Sequence, residues 1–206
     1  EAQFIRWLDT RQVDGLLFTT NRPDNGLLRK EIQRHQHIVL LDEDIPGSSV
    51  PKVFADNVQG GRIATEQLIA AGHRHIAFIG GPEQLMSVRE RYLGFCTAMK
   101  QAGLSVPTEW VMYGNYEREF GQQALQRLFS QSPRPSAVFA ASDYLVLGLL
   151  DGLRASGLQA PAALSLVGFD DANYTDLTQP RISTIRQPAR ELGYTAVDIM
   201  LRLLNN

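Results

Sequence analysis

Residues 74–82, Arg74-His75-Ile76-Ala77-Phe78-Ile79-Gly80-Gly81-Pro82, decide the fold. Four apolar residues in a row, closed by glycine and proline, read as a strand buried on both faces. The next segment has helical spacing. Tyr92, Phe95, Cys96 and Met99 fall at i, i+3, i+4 and i+7, and Gly103 stands where a helix would be capped. The same alternation runs outward in both directions. Strands are expected at Gly15 to Thr19, Ile38 to Leu41, His75 to Gly80, Trp110 to Tyr113, Ala137 to Ala140 and Leu164 to Gly168. A first helix is read ahead of Gly15. Stripes at Ala64/Leu68/Ala71, closed by Gly72, and at Phe120/Ala124/Leu128 read as helices. Another is expected after Pro188, with Leu192, Ala196, Ile199 and Leu203 on one face. Alternating strand and helix means an α/β fold with parallel sheets and right-handed crossovers.

Composition narrows the function classes. The chain has 206 residues, 44% of them hydrophobic, enough for a real core. No apolar run approaches the roughly 20 residues of a bilayer span. One cysteine excludes a disulfide framework and fits a reducing compartment, so a cytoplasmic protein is expected. Twenty Lys+Arg against 22 Asp+Glu leave a net charge of -2, which argues against a basic nucleic-acid face on this chain. The N-terminus carries no basic start followed by an apolar stretch, so no signal peptide is read.

In open parallel sheets ligands bind outside the carboxyl ends of the strands. That rule selects Ser87, Arg89 and Arg91, then Tyr116, then Ser142 and Asp143, then Asp170 and Asp171. Hydroxyls, guanidinium groups, an aromatic face and carboxylates are the set a polyhydroxylated ligand needs. Each residue has a plainer alternative. Ser142 or Asp143 could cap the next helix, Arg89 could be solvated, Tyr116 could be core, and Asp170-Asp171 could be a turn. The segment Tyr144 to Leu150 is apolar nearly all round. It is either wedged within its own domain or shared between the sheet and a second subunit.

Enzyme signatures are poor. Neither G-x-G-x-x-G nor G-x-x-x-x-G-K-[ST] is present at Gly80-Gly81-Pro82, and no G-x-S-x-G occurs. Adjacent carboxylates such as Asp170-Asp171 rarely straddle one glycosidic bond. His35/His37 and His73/His75 lack the further ligands of a metal site, so no metal and no cofactor is expected. Cys96 on an apolar helix face reads as a small hydrophobe.

Several segments, in order, resemble the effector-binding core of the LacI/GalR family of bacterial transcriptional repressors. They are residues 56–61 (Asp-Asn-Val-Gln-Gly-Gly), 72–82, Arg91 with Gly94-Phe95, 134–140, Val167-Gly168-Phe169-Asp170-Asp171, and Pro180 through Gln187-Pro188. The resemblance implies a periplasmic-binding-protein-like fold of two Rossmann-like subdomains with a ligand cleft between them. It implies crossings near Phe54 to Asn57 and Ile185 to Pro188. The N-terminal subdomain would then be residues 1–55 completed by 186–206, and the C-terminal one 56–185. It also implies an N-terminal subdomain lacking its first strand–helix–strand, and a helix-turn-helix head outside these 206 residues.

Residue by residue, the resemblance gives Ser87 and Arg91 as hydroxyl and guanidinium partners of the ligand. Tyr116 is the aromatic packed against it, Asp170 the acid for ligand hydroxyls, and Gln187 a cleft glutamine. Ser142 departs from the family's usual Asn, and Leu147 matches a dimer contact. The expected function is non-enzymatic. A small sugar or sugar derivative, or else a nucleoside or purine, would control operator binding by a homodimer with no membrane attachment. The rivals are a periplasmic sugar-binding protein of an uptake system and a sugar hydrolase.

Overall fold

The computed structural model describes residues 2–171 and 178–205. The chain divides into two compact units. Unit 1 is Glu1–Ala55, Leu85–Ser87 and Pro188–Asn206, and unit 2 is Asp56–Gln84 with Val88–Gln187.

Unit 1 holds α1 (Ala2–Asp9), β1 (Leu16–Phe18), α2 (Leu27–Ile32), β2 (Ile38–Leu41), β3 (Lys52–Val53) and α7 (Ala189–Leu204). Its three strands are all parallel, in the order β1-β2-β3. The period of two in β2 builds both faces. Ile38 and Leu40 pack with Ile5, Phe18, Leu28 and Ile32, whereas Val39 packs with Val53, Ala196 and Met200. The apolar stripe of α7 lies on that second face, with Leu192, Ile199 and Leu203 beside Ala196.

Unit 2 holds α3 (Asn57–Ala70), β4 (Ile76–Gly80), α4 (Met86–Gln101, from Val88 on), β5 (Val111–Tyr113), α5 (Arg118–Phe129), β6 (Ala137–Ala140), α6 (Asp143–Ala155), β7 (Ser165–Asp170) and β8 (Ser183–Arg186). The five strands among its described residues are all parallel, in the order β5-β4-β6-β7-β8. Every residue of β4 and β6 is buried, as continuous apolar runs demand. Ala77, Ile79, Val138 and Ala140 meet Ala124, Leu128, Leu145 and Leu149 of α5 and α6. Ile76, Phe78, Ala137 and Phe139 meet Ala64, Leu68, Phe95 and Met99 of α3 and α4 on the other face. Gly72 and Gly103 take the left-handed conformation just past α3 and α4. The N–H of His73 reaches the Leu68 carbonyl and that of Leu104 the Met99 carbonyl, closing both helix ends.

Four sequence readings need correction. Two strands escaped notice: β3 is two residues long, and β8, at the sheet edge, is Ser-Thr-Ile-Arg, where Ile185 is the one apolar residue and no apolar run marks a strand. The strand expected at Leu164 to Gly168 runs on to Asp170. Trp110 closes a 3-10 turn, Thr108–Trp110, rather than opening β5.

One edge of the α4 face carries two hydroxyls with altered acidity. The Tyr92 ring lies 5.9 Å from that of Tyr113 and 5.1 Å from that of Phe78. Burial, then the hydrogen bond to Cys96 and the neighbouring Cys96 and Glu83 charges, push the Tyr92 hydroxyl from 10 up to about 12. Burial, followed by Tyr92, Glu83 and Cys96, raises Tyr113 too. An unfolded tyrosine loses its proton near its ordinary value while the folded one keeps it. Stability is therefore intact below pH 10 and falls as pH rises toward 12. Melting temperature followed across that alkaline range is expected to drop steeply, and less so in Tyr92→Phe. Equal slopes in the two proteins would contradict this.

Candidate ligand site

In unit 2 the strand order places β4 and β6 side by side with their connections leaving in opposite directions. This is the switch point of a doubly wound sheet, where ligands bind outside the carboxyl ends. Arg91 reaches that end from α4 and is 3% exposed. Nε donates to Asn57 Oδ1 at 2.8 Å, and Nη1 donates to the Ala141 carbonyl, just past β6, at 2.7 Å. The guanidinium lies over Phe169, 3.7 Å from the ring centroid. A buried guanidinium needs such partners to offset its lost hydration.

Asp170 ends β7 beside it, with its Oδ1 3.8 Å from Arg91 Nη1. Gln187, just past β8, donates from Nε2 to that same oxygen at 2.7 Å. Arg91, Asp170 and Gln187 are thus drawn into one polar chain. Asp170 has φ 107, which non-glycine residues seldom adopt, and Asp171 follows at φ 62. The two acids take separate partners. Asp171 pairs with Arg186 and, at 3.5 Å, with Arg181.

The other candidate residues have different surroundings. Tyr116 packs against the backbone past β4, where a Cβ on Gly81 would lie 2.3 Å from its ring. Ser142 caps α6, its Oγ accepting from the Tyr144 N–H at 3.2 Å, and it is 4% exposed. Asp143, equally buried, accepts from the Thr184 hydroxyl at 3.5 Å. Arg89 is exposed and donates to the Gln84 carbonyl. Ser87, one turn before Arg91 on α4, clusters with unit 1, where its hydroxyl donates to Glu43. Leu147 is half-buried on α6, and Tyr144 of the same helix is exposed. That helix buries Leu145, Val146, Leu149 and Leu153 in its own core, so much of its apolar character is accounted for inside unit 2.

Three of the four histidines have close partners. His73 Nδ1 meets Ser136 Oγ at 2.9 Å, His37 Nδ1 meets the Asp14 carbonyl at 3.1 Å, and His75 packs on Trp110. Among the described residues no group of three His, Cys, Asp or Glu could hold a metal ion. Sequence reasoning missed Asn57 and Phe169 as the cradle of Arg91, although both lie in segments that carry the family resemblance. It also missed Glu43, which the carboxyl-end rule applied to β2 would have found.

Comparison with known proteins gives a consistent result. A family model described as a periplasmic binding protein-like domain matches residues 65–206. The HTH-type transcriptional repressor PurR of Klebsiella pneumoniae (strain 342) is 36% identical over 208 residues. That match takes in 100% of this chain and 61% of the relative, so the chain spans about three-fifths of the relative's length. A LacI family transcriptional regulator from Mycobacterium smegmatis superposes with a TM-score of 0.91 at 31% identity, covering 99% of this chain and 75% of that one. A transcriptional regulator CelR-cellobiose complex superposes with a TM-score of 0.86 at 31% identity, covering 98% and 63%.

Proposed function

The chain belongs to the family of periplasmic-binding-protein-like domains, in the form found in LacI-family regulators, and from that premise we propose that it is the effector-binding core of a transcriptional repressor. Its effector is a small polyhydroxylated molecule, a sugar or sugar derivative. The observation that carries this reading is the Arg91 guanidinium, buried yet set beside Asp170 and Gln187 at the carboxyl end of the sheet. Such a group offers paired donors next to paired acceptors, the pattern that vicinal hydroxyls match. A relative of similar identity was solved with cellobiose, which supports a sugar.

Ser87, Arg91, Tyr116, Ser142, Asp170 and Gln187 are proposed as ligand contacts, and Leu147 as part of a homodimer contact. Units 1 and 2 would act as the two subdomains. Operator DNA is assigned to another part of the regulator, since a chain of net charge -2 has no basic surplus to hold phosphates. PurR, the Mycobacterium smegmatis protein and CelR are all regulators, which favours this reading over an uptake component or a hydrolase. No helix among the described residues is long and apolar enough to cross a membrane.

The test is a thermal-shift screen of the purified protein against cellobiose, glucose, ribose, nucleosides and purines. A ligand at 100 times its Kd adds about 2.7 kcal/mol. For a chain of this size that is a rise of roughly 5–10 °C. A rise with a nucleoside or purine and none with sugars would change the effector class. No rise with any member would overturn the effector reading.

A further inference from the structure

Among the described residues of unit 1, Glu43 is the buried carboxylate, and the proposed effector contacts leave it without a role. It lies two residues past β2, is 3% exposed, and among the described residues no cation pairs with it. Both of its oxygens are doubly engaged. Oε1 accepts from the N–H of Asp44 at 3.1 Å and of Met86 at 2.6 Å. Oε2 accepts from the N–H of Ser87 at 3.2 Å and from the Ser87 hydroxyl at 2.6 Å. A carboxylate has about four acceptor positions, so this one is saturated. The Ser87 hydroxyl has only one hydrogen to donate, and it donates it to Glu43. What Ser87 has left to offer is a lone pair.

We propose that Glu43 is a specificity-determining residue: it fixes Ser87 as an acceptor, so that the effector must donate a hydrogen bond there. This rests on the reading of Ser87 as a ligand contact. Hydroxyl and amino groups donate; phosphate and carboxylate groups, ionised at neutral pH, only accept. An anionic group at Ser87 would meet a lone pair with a buried negative charge behind it. Glu43 thereby selects neutral polyols and rejects their phosphorylated or oxidised counterparts, a repulsive element of specificity.

The test compares wild type with Glu43→Gln by calorimetry, using glucose, cellobiose, glucose 6-phosphate and gluconate. Ser87→Ala is a second variant, and circular dichroism checks that each protein folds. Wild type is expected to bind a neutral sugar at least about tenfold more tightly than either anion, tenfold being 1.4 kcal/mol. Glu43→Gln, whose amide can donate to Ser87, is expected to narrow that ratio about tenfold or more. Ser87→Ala loses affinity for the neutral sugar without gaining the anions. Neutral-sugar binding with the same selectivity in Glu43→Gln overturns this inference alone, as does wild-type preference for glucose 6-phosphate. No binding of any probe overturns the effector reading and this inference with it. If Glu43→Gln fails to fold, Ser87→Ala decides: unchanged neutral-sugar affinity there overturns the proposal.

Discussion

Arg91→Ala is expected to lose ligand affinity tenfold or more and to destabilise the protein by about 2–4 kcal/mol, since it leaves two buried polar partners unsatisfied at about 1–3 kcal/mol each. The stability loss arises from what is stranded. Asn57 Oδ1 and the Ala141 carbonyl each lose a donor, and the Phe169 face loses the cation stacked 3.7 Å above it. The affinity loss arises from the unpaired ligand groups and from an Asp170 carboxylate left without the guanidinium beside it. Arg91→Lys restores the charge but not the geometry. An ammonium cannot reach Asn57 and the Ala141 carbonyl in two fixed directions while stacking on a ring. Urea denaturation and calorimetry read the two effects separately. A denaturation midpoint and an affinity both unchanged in Arg91→Ala would remove this group from the site.

The second large effect lies in the helix pairs that flank the sheet of unit 2. A Cβ on Gly94 would lie 2.1 Å from the Val58 carbonyl oxygen and 2.6 Å from the Arg62 nitrogen. A Cβ on Gly148 would lie 2.1 Å from the Arg118 carbonyl oxygen and 2.8 Å from Gly121 Cα. These obstacles are backbone, so neither can swing aside, and the helices must part. Alanine gains about 1 kcal/mol over glycine in a helix interior. Overpacking costs typically about 1–3 kcal/mol and more where the backbone must shift. The clash prevails, and Gly94→Ala and Gly148→Ala are each expected to lose about 2 kcal/mol or more net. Gly193→Ala is the control of opposite sign. It lies inside α7 with nothing within 4 Å of the new Cβ, so it is expected to gain up to about 1 kcal/mol. Thermal melting of the three variants checks both signs; stabilisation by Gly94→Ala would mean that α3 and α4 are not so tightly apposed.

The candidate site was legible in part, for a definite reason. Arg91, Asp170 and Gln187 lie in segments that follow apolar strands or flank them on a helix, so the carboxyl-end rule and the family resemblance together point to them. Their grouping was not legible. Asn57 is 34 residues from Arg91 and Ala141 is 50, and no local pattern links them. Ser142 illustrates the opposite limit. Sequence left it between capping α6 and meeting a ligand, and its Oγ is seen to accept from the Tyr144 N–H. The long apolar helix was ambiguous for a related reason. Gly121 and Gly148 bring α5 against α6, a neighbour that the hydrophobic pattern of α6 alone does not reveal.

The sequence by itself determined the α/β class, the parallel strands and the identity of the central ones. Runs such as Ile76-Ala77-Phe78-Ile79 and Ala137-Val138-Phe139-Ala140 have no stable place except between two helix layers. It could not determine the edge strand Ser183–Arg186, where Ile185 is the one apolar residue and no run of apolar residues marks a strand. Nor could it determine which donors and acceptors meet. Only the tertiary structure decided that Glu43 accepts the Ser87 hydroxyl's hydrogen bond and that Arg91 lies on Phe169. Hydrophobic periodicity is a property of neighbours along the chain, whereas a buried polar group is satisfied by whichever distant partner the fold delivers.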